Sequence, residues 1–217
     1  MERPMSATGD WVVVMPVKGT AGAKSRLLGG LADSEIPEDR RAEFALALAL
    51  DAVDAVRTAL PVVRVIVVTS AEVSERFEAL GALVRRDPGT GLNAAFTRGI
   101  RSAMELNPGR PVAALMSDLA SIRPRDVTAA LDLASETPLG MLTDKDGTGT
   151  TLLTALSPRD LVPRFGLGSA RRHREAGHLE LEIARGDRMR LDIDTADDLA
   201  TARALGLGLR ARAVLGQ

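Results

Sequence analysis

The chain has 217 residues, is 45% hydrophobic and carries a formal net charge of −1, which suits one cored domain and gives no general attraction to nucleic acid. It has no cysteine, so disulfides and thiolate metal sites are excluded, and only two histidines, His173 and His178. Any bound metal must then be held mostly through oxygen, which favours magnesium, manganese or calcium.

No apolar run reaches the length of a membrane span, and the opening MERPMSATGD lacks the apolar stretch of a signal peptide. A cytoplasmic protein with no membrane or nucleic-acid partner is expected. Residues 1–10 read as a flexible N-terminus, 11–207 as a single domain and 208–217 as a C-terminal tail.

Trp11 to Val17 is a continuous apolar, β-branched run and reads as a strand covered on both faces. The loop after it, KGTAGAKSR, looks at first like a phosphate-binding P-loop. That pattern needs glycine at positions 18 and 23 if Lys24 is its lysine, and the chain has Lys18 and Ala23, so the match fails. Gly19 and Gly22 still let the backbone turn closely around an anion, and Lys18, Lys24 and Arg26 supply positive charge. Only three of the 28 basic residues are lysines, Lys18, Lys24 and Lys145, and two of them fall in this loop. An ordinary glycine-rich turn remains an equal reading on these residues alone.

Pro37 to Leu60 reads as a long helix, Val63 to Thr69 as a second buried strand, Ala71 to Leu80 as a helix and Leu83 to Arg85 as a short third strand. Asp87-Pro88-Gly89-Thr90-Gly91-Leu92-Asn93 then runs into a helix from about Leu92 to Leu106. Glycines beside a helix N-terminus suit an anion or a nucleotide edge. Asp87 and Asn93 serve equally well as turn residue and helix cap.

Val112 to Met116 reads as a strand that ends in Ser117-Asp118, a position from which an aspartate can hold a hydrated divalent cation or close the local turn. Pro124 to Ala134 follows as a helix with proline in its first turn, and Leu139 to Leu142 as a strand. Strand and helix alternating over short connections imply right-handed crossovers, hence an α/β fold: a single-domain, mostly parallel Rossmann-like sheet with helices on both faces.

Beyond Asp144 the rhythm changes. Thr150 to Leu156 reads as a strand, Ser169 to Ala176 as a helix, Leu179 to Ile183 and Met189 to Ile193 as short strands, and Ala196 to Leu205 as a last helix. This last third is expected to cap the strand ends. On a strand, Asp192 and Asp194 would share one side and repel unless a cation joined them. Asp194 or Thr195 can instead cap the last helix, with Asp197 and Asp198 favouring its positive end. Two loops, 146–151 and 165–169, pair glycines with hydroxyls in a way that suits a small phosphate or carboxylate. No Ser-His-Asp order, no HExxH and no aromatic platform for bases is present.

Taken in order, PVKGTAGAKSRL, DPGTGLNAAF, the strand-end Asp118, GTGTTLL, FGLGSARRH and DIDTADDL resemble the guanylyltransferases of coenzyme F-420 biosynthesis. These belong to a broader nucleotidyltransferase group that includes molybdenum-cofactor guanylyltransferase. The resemblance runs from Trp11 to about Leu205 and implies the nucleotide-diphospho-sugar transferase type of fold. It implies transfer of GMP from GTP to phosphoenolpyruvate, with 2-phospho-L-lactate or 3-phosphoglycerate as alternative acceptors and pyrophosphate released.

On that resemblance Lys18, Gly22, Lys24 and Arg26 would hold the triphosphate, Lys24, Arg26 and Asp118 being the catalytic set. Asp87, Gly91 and Asn93 would line the base and ribose pocket, and Thr150, Gly166 and Ser169 would hold the acceptor. Asp118, Asp192 and Asp194 would bind Mg2+. A homodimer is compatible with the relatives. Many of them have proline where this chain has Ala120, which loosens the backbone after Asp118 but leaves the carboxylate. More distant readings are another nucleotidyltransferase of this fold or a non-catalytic nucleotide-binding regulator; the latter could dispense with the acidic set.

Overall fold

A computed structural model of the chain describes residues 10–18 and 36–216. Lys24, Arg26 and Gly22 therefore lie outside the described residues, as do residues 1–9.

Seven strands form one sheet in the order β3-β2-β1-β4-β6-β5-β7. They are β1 (Trp11–Pro16), β2 (Val62–Thr69), β3 (Leu83–Arg86), β4 (Val112–Leu115), β5 (Leu139–Thr143), β6 (Thr150–Ala155) and β7 (Leu179–Glu180). All neighbours pair in parallel except β6, which runs antiparallel to both β4 and β5. The helices are α1 (Glu38–Arg57), α2 (Ser74–Glu78), α3 (Leu92–Leu106), α4 (Pro124–Ala134), α5 (Ser169–Glu175), α6 (Ala196–Leu205) and α7 (Leu209–Val214).

The alternation of side chains along β1 and β2 divides the core between the two faces of the sheet. Val13, Met15, Val65 and Val67 face α1, α2 and α4, where Leu46, Val53, Phe77, Val127 and Leu131 cover them. Val12, Val14, Ile66 and Val68 face α3, through Ala95, Phe96, Ile100 and Ala103. Burial on both sides explains why these strands read as unbroken apolar runs. Helix α3 lies so close that a side chain on Gly99 would run into Val14 and Val68.

A third, smaller cluster joins Phe44 and Leu48 of α1 to Leu191, Ile193, Leu199, Ala202 and Ala211. Ala120, two residues after Asp118, is buried in it. The segment read as a C-terminal tail contains α7, and Asp51 of α1 accepts hydrogen bonds from the backbone N–H groups of Arg210 and Ala211 at that helix's start.

The chain departs from expectation at 179–193. Only Leu179–Glu180 pairs as a strand, and Met189–Ile193 forms no ladder: a 3-10 turn spans Arg188–Arg190, with Asp187 accepting the Met189 N–H. The carbonyls that a longer β7 would offer are taken otherwise: the Leu181 carbonyl accepts Ile183 N–H at 2.8 Å, and the Arg190 guanidinium, buried at 4% exposure, donates to the carbonyls of both Leu181 and Ile183. It also donates to the Thr143 carbonyl at 3.1 Å and hydroxyl at 2.6 Å, and to Glu180 Oε1 at 2.6 Å.

Burial pushes the Glu180 carboxyl up, but Arg190 and the Thr143 donors outweigh it and hold the group below the usual carboxylate range. Replacing Arg190 with Met is expected to cost about 3 kcal/mol, the low end for breaking a buried pair, because Glu180 keeps some access to water. A urea midpoint unchanged from the parent would show that this network does not hold the segment.

Candidate active site

In a sheet of this kind ligands bind beyond the carboxyl ends of the strands. Lys18 follows β1, Thr69 ends β2, Asp87 follows β3, Asp118 follows β4 and Asp144 follows β5. Because β6 is reversed, its first residue, Thr150, comes to the same end, opposite Thr143. Two bonds tie the exits together: Ser117 Oγ donates to the Pro16 carbonyl at 2.8 Å, and Met116 N to the Thr151 carbonyl at 2.9 Å.

The acidic residues converge here. Asp118 leaves β4 half-buried, and its Oδ1 is shut away from solvent without a hydrogen-bond partner. The 188–193 segment crosses above it, with Ile193 N donating to the Asp118 carbonyl at 3.3 Å. Asp192 and Asp194 do face away from the buried Leu191 and Ile193, though along an unpaired extended stretch and not a strand.

Burial pushes the Asp118 carboxyl up to about 6; the Asp194 charge adds to this and Lys18 opposes it. Burial, then the charges of Asp118 and Asp194, push Asp192 up to about 8. Such mutual repulsion is what a cation would relieve, and the unpartnered Oδ1 is a donor oxygen of the right hardness. As folded, no group of three or more His, Cys, Asp or Glu stands at metal-holding spacing among the described residues.

Helix α6 is capped by Thr195, whose Oγ1 accepts from Asp198 N while Asp198 Oδ2 accepts from the N–H groups of Asp194 and Thr195. Asp198 also meets Lys145 at 3.3 Å. Hydrogen bonding to Asp146, with Asp198 behind it, holds the Lys145 ammonium above its ordinary range.

Of the residues expected to line the nucleotide, Asp87 closes its own turn by accepting Gly89 N–H at 2.8 Å, and Gly89 and Gly91 adopt the left-handed φ values of +78° and +106°. Asn93 is exposed, but its amide is engaged: Nδ2 donates to the Phe165 carbonyl and Oδ1 accepts from Phe165 N at 2.7 Å. It thus joins the start of α3 to the 165–169 loop. Phe96 stacks on Phe165 at 4.2 Å and strengthens the same junction. Thr69 Oγ1 and Ser70 Oγ, at the end of β2, are buried hydroxyls without partners.

The residues expected to hold the acceptor come together directly. Ser169 Oγ and Thr150 Oγ1 lie 3.1 Å apart, and Thr150 Oγ1 lies 2.9 Å from His173 Nδ1. Gly166 and Gly168 carry φ values of +115° and +69°, which turn the loop into α5. The facing loop is held by Asp144, whose two carboxylate oxygens accept Thr148 N and Gly149 N at 2.9 and 2.7 Å. A side chain on Gly149 would collide with that carboxylate. Ala170 N then donates to the Thr148 carbonyl, closing the two loops on each other.

Sequence reasoning missed Asp144, Arg190 and His173. His173 carried a usable signal: it lies four residues after Ser169, on the same face of one helix turn. Arg190 carried none, since nothing in a row of arginines marks the buried one. No helix among the described residues is long and apolar enough to cross a membrane.

Residues 11–216 match the family described as "Guanylyl transferase CofC like". The chain is 44% identical over 210 residues to a phosphoenolpyruvate guanylyltransferase of Streptomyces scabiei, covering 94% of this chain and 95% of the relative. It is 43% identical over 218 residues to one of Geodermatophilus obscurus, covering 98% and 97%. Among solved structures, it resembles a protein of Desulfovibrio desulfuricans G20 provisionally assigned as a nucleotide-diphospho-sugar transferase. That match has a TM-score of 0.69 at 17% identity, covering 96% of this chain and 94% of that one. A nucleotidyl transferase from Methanothermobacter has a TM-score of 0.57 at 20% identity, covering 90% and 97%. The two structures carry the fold alone; the sequence matches carry the family, and this chain belongs to the CofC-like guanylyltransferases.

Proposed function

We propose that the chain transfers GMP from GTP to the phosphate of phosphoenolpyruvate, releasing pyrophosphate, as a step toward the deazaflavin cofactor F-420. The observation that carries this reading is the pairing of two unlike half-sites at one sheet end. Asp118, with a buried unpartnered carboxylate oxygen, converges with Asp192 and Asp194, while the Thr150 and Ser169 hydroxyls stand on the neighbouring strand and loop. A nucleotide-binding regulator has no need to bear that electrostatic cost.

An acceptor phosphate is already anionic near neutral pH, so the reaction requires no strong general base. Its oxygen attacks the α-phosphorus in line, the bond to the β-phosphate bridge breaks, and pyrophosphate leaves with the electron pair. The protein's part is alignment and charge compensation. Lys18, with Gly22, Lys24 and Arg26 of the same loop, would hold the triphosphate and counter the charge on the leaving group. Asp87, Gly91 and Asn93 would line the base and ribose side; Asn93, bound to Phe165, would act there through the geometry it fixes. Thr150, Gly166 and Ser169 would hold the acid. Asp118, Asp192 and Asp194 would hold magnesium, which when bound supplies positive charge between the reacting phosphates.

Pyrophosphate release with GTP and magnesium should require one acceptor among phosphoenolpyruvate, 2-phospho-L-lactate and 3-phosphoglycerate, with phosphoenolpyruvate preferred. It should fail with ATP or CTP and stop when a chelator removes the metal. Release without any acceptor, or none with all three, would refute the assignment. Asp118→Asn keeps the shape of the side chain and removes its charge, so it should lower kcat by at least about a hundredfold, on the scale of losing one electrostatic contact to the transition state. Its urea midpoint should stay at or above the parent's, because the change relieves repulsion. Retained turnover would remove Asp118 from the metal-binding set.

A further inference from the structure

His173 has no place in the reaction as derived, yet it is fully buried and both ring nitrogens are engaged at the acceptor side. We propose that His173 is a positioning residue: held by Arg164 N–H at Nε2 and donating from Nδ1 to Thr150, it leaves the Thr150–Ser169 pair one hydroxyl proton to offer an anionic oxygen of the acceptor. This rests on the reading that Thr150 and Ser169 face the acceptor.

The argument is a count of protons. Arg164 N lies 3.0 Å from Nε2 and, as a backbone amide, can only donate, so Nε2 carries a lone pair. A neutral ring then has its proton on Nδ1, aimed at Thr150 Oγ1. The ring stays neutral because burial first, then the charges of His178, Arg172 and Arg164, push it down to about 4.

Thr150 therefore cannot donate to His173. The two hydroxyls own two protons, and their mutual contact at 3.1 Å uses one. Neither hydroxyl has any other hydrogen-bond partner among the described residues. One proton is left without an acceptor in a pair that is almost wholly buried: Ser169 is 1% exposed and Thr150 6%. The opposite tautomer would set Nε2–H against Arg164 N–H, and would let Thr150 spend its proton on the ring. The lone pair on Nε2 is thus what keeps a hydroxyl available. Phe165, edge-on to the ring at 5.2 Å, and the Asn93 amide behind it hold the Arg164–Phe165 backbone in place.

Nitrogen-15 spectra of the full chain labelled at histidine should show His173 protonated on Nδ1 and bare on Nε2 at neutral pH. Protonation on Nε2 would overturn the proposal outright. Phosphoenolpyruvate added alone should shift these signals, and their indifference to it would also overturn it.

Two isosteres separate positioning from packing. His173→Gln keeps an acceptor near Nε2 and drops the donor to Thr150; His173→Asn does the reverse. The Gln variant should keep the parent's urea midpoint and raise the phosphoenolpyruvate KM about tenfold, the low end for a hydrogen bond to a charged group, with the GTP KM changed by less than about twofold. The Asn variant should unfold earlier, having lost the Arg164 N–H bond, and should raise the phosphoenolpyruvate KM as well, since nothing then keeps its amide oxygen from accepting the Thr150 proton. Loss of stability and kcat together in both, with the acceptor KM unmoved, would reduce His173 to a structural role. Absence of acceptor-dependent turnover in the parent would instead sink the acceptor reading, while the tautomer spectrum would still decide the state of the ring.

Discussion

Closed off from solvent, the Arg190 guanidinium has its donors met by Glu180, the Thr143 hydroxyl and the carbonyls of Thr143, Leu181 and Ile183. That set spans the end of β5, the edge strand β7 and the segment that follows. Fixing Arg190 fixes the residues on either side of it. Its own carbonyl accepts Lys145 N–H, the neighbouring Met189 carbonyl accepts the Thr151 hydroxyl, and two residues on comes Asp192. A buried ion pair is seldom retained for stability alone, since apolar replacements often serve as well. Here it does what an apolar side chain could not: it uses up strand carbonyls and so bends the chain from the sheet edge back over Asp118.

The reversal of β6 is the second constraint. A parallel strand in its place would have delivered the loop before it to the opposite end of the sheet. Running antiparallel between β4 and β5, it instead begins at the ligand end, so Thr150 and the Asp144-anchored loop stand next to the Asp118 exit. The β1 to β3 half is ordinary parallel pairing. The Thr150 side needs this one inverted strand, and α5 then lays Ser169 and His173 against it.

The parts legible in the sequence were those governed by local chemistry. The boundaries of α3, α4 and α6 follow from apolar spacing, a proline at the first turn and the Thr195–Asp198 capping pair. The buried strands follow from unbroken β-branched runs. What failed was the strand at 189–193, because its alternation of apolar and polar residues is real but the segment opens in a 3-10 turn and its backbone bonds to Lys145 and Asp118 in place of a neighbouring strand. Period two marks an extended chain; it cannot say whether a ladder exists. In the candidate site, the acidic residues and the hydroxyl-glycine loops were legible as separate motifs. Asn93 was read as a lining residue or a helix cap, whereas its amide binds a backbone 72 residues away. Such a tie has no local signature.

Several groups at this end of the sheet are held in states that folding alone would not choose. Asp118 buries an oxygen with no partner, Asp192 is pushed up by burial and then by the Asp118 and Asp194 carboxylates, and the Thr69 and Ser70 hydroxyls are also unpaired. Each buried unpaired polar group costs roughly 1–3 kcal/mol. Elsewhere both faces of the sheet are covered and the loops are bound to their own aspartates, Asp87 to Gly89 and Asp144 to Gly149, while Asn107, Ser121 and Thr154 each bury one polar atom without a partner. What sets the strand-end site apart is charge: there the unpaired oxygen stands among carboxylates that repel one another, a departure of the kind that functional sites retain. The unmet needs differ across it. Carboxylates at the centre call for a cation, and hydroxyl donors at the side call for an anion. A metal-bound nucleotide next to a phosphorylated acid answers both, and neither ligand would do so alone.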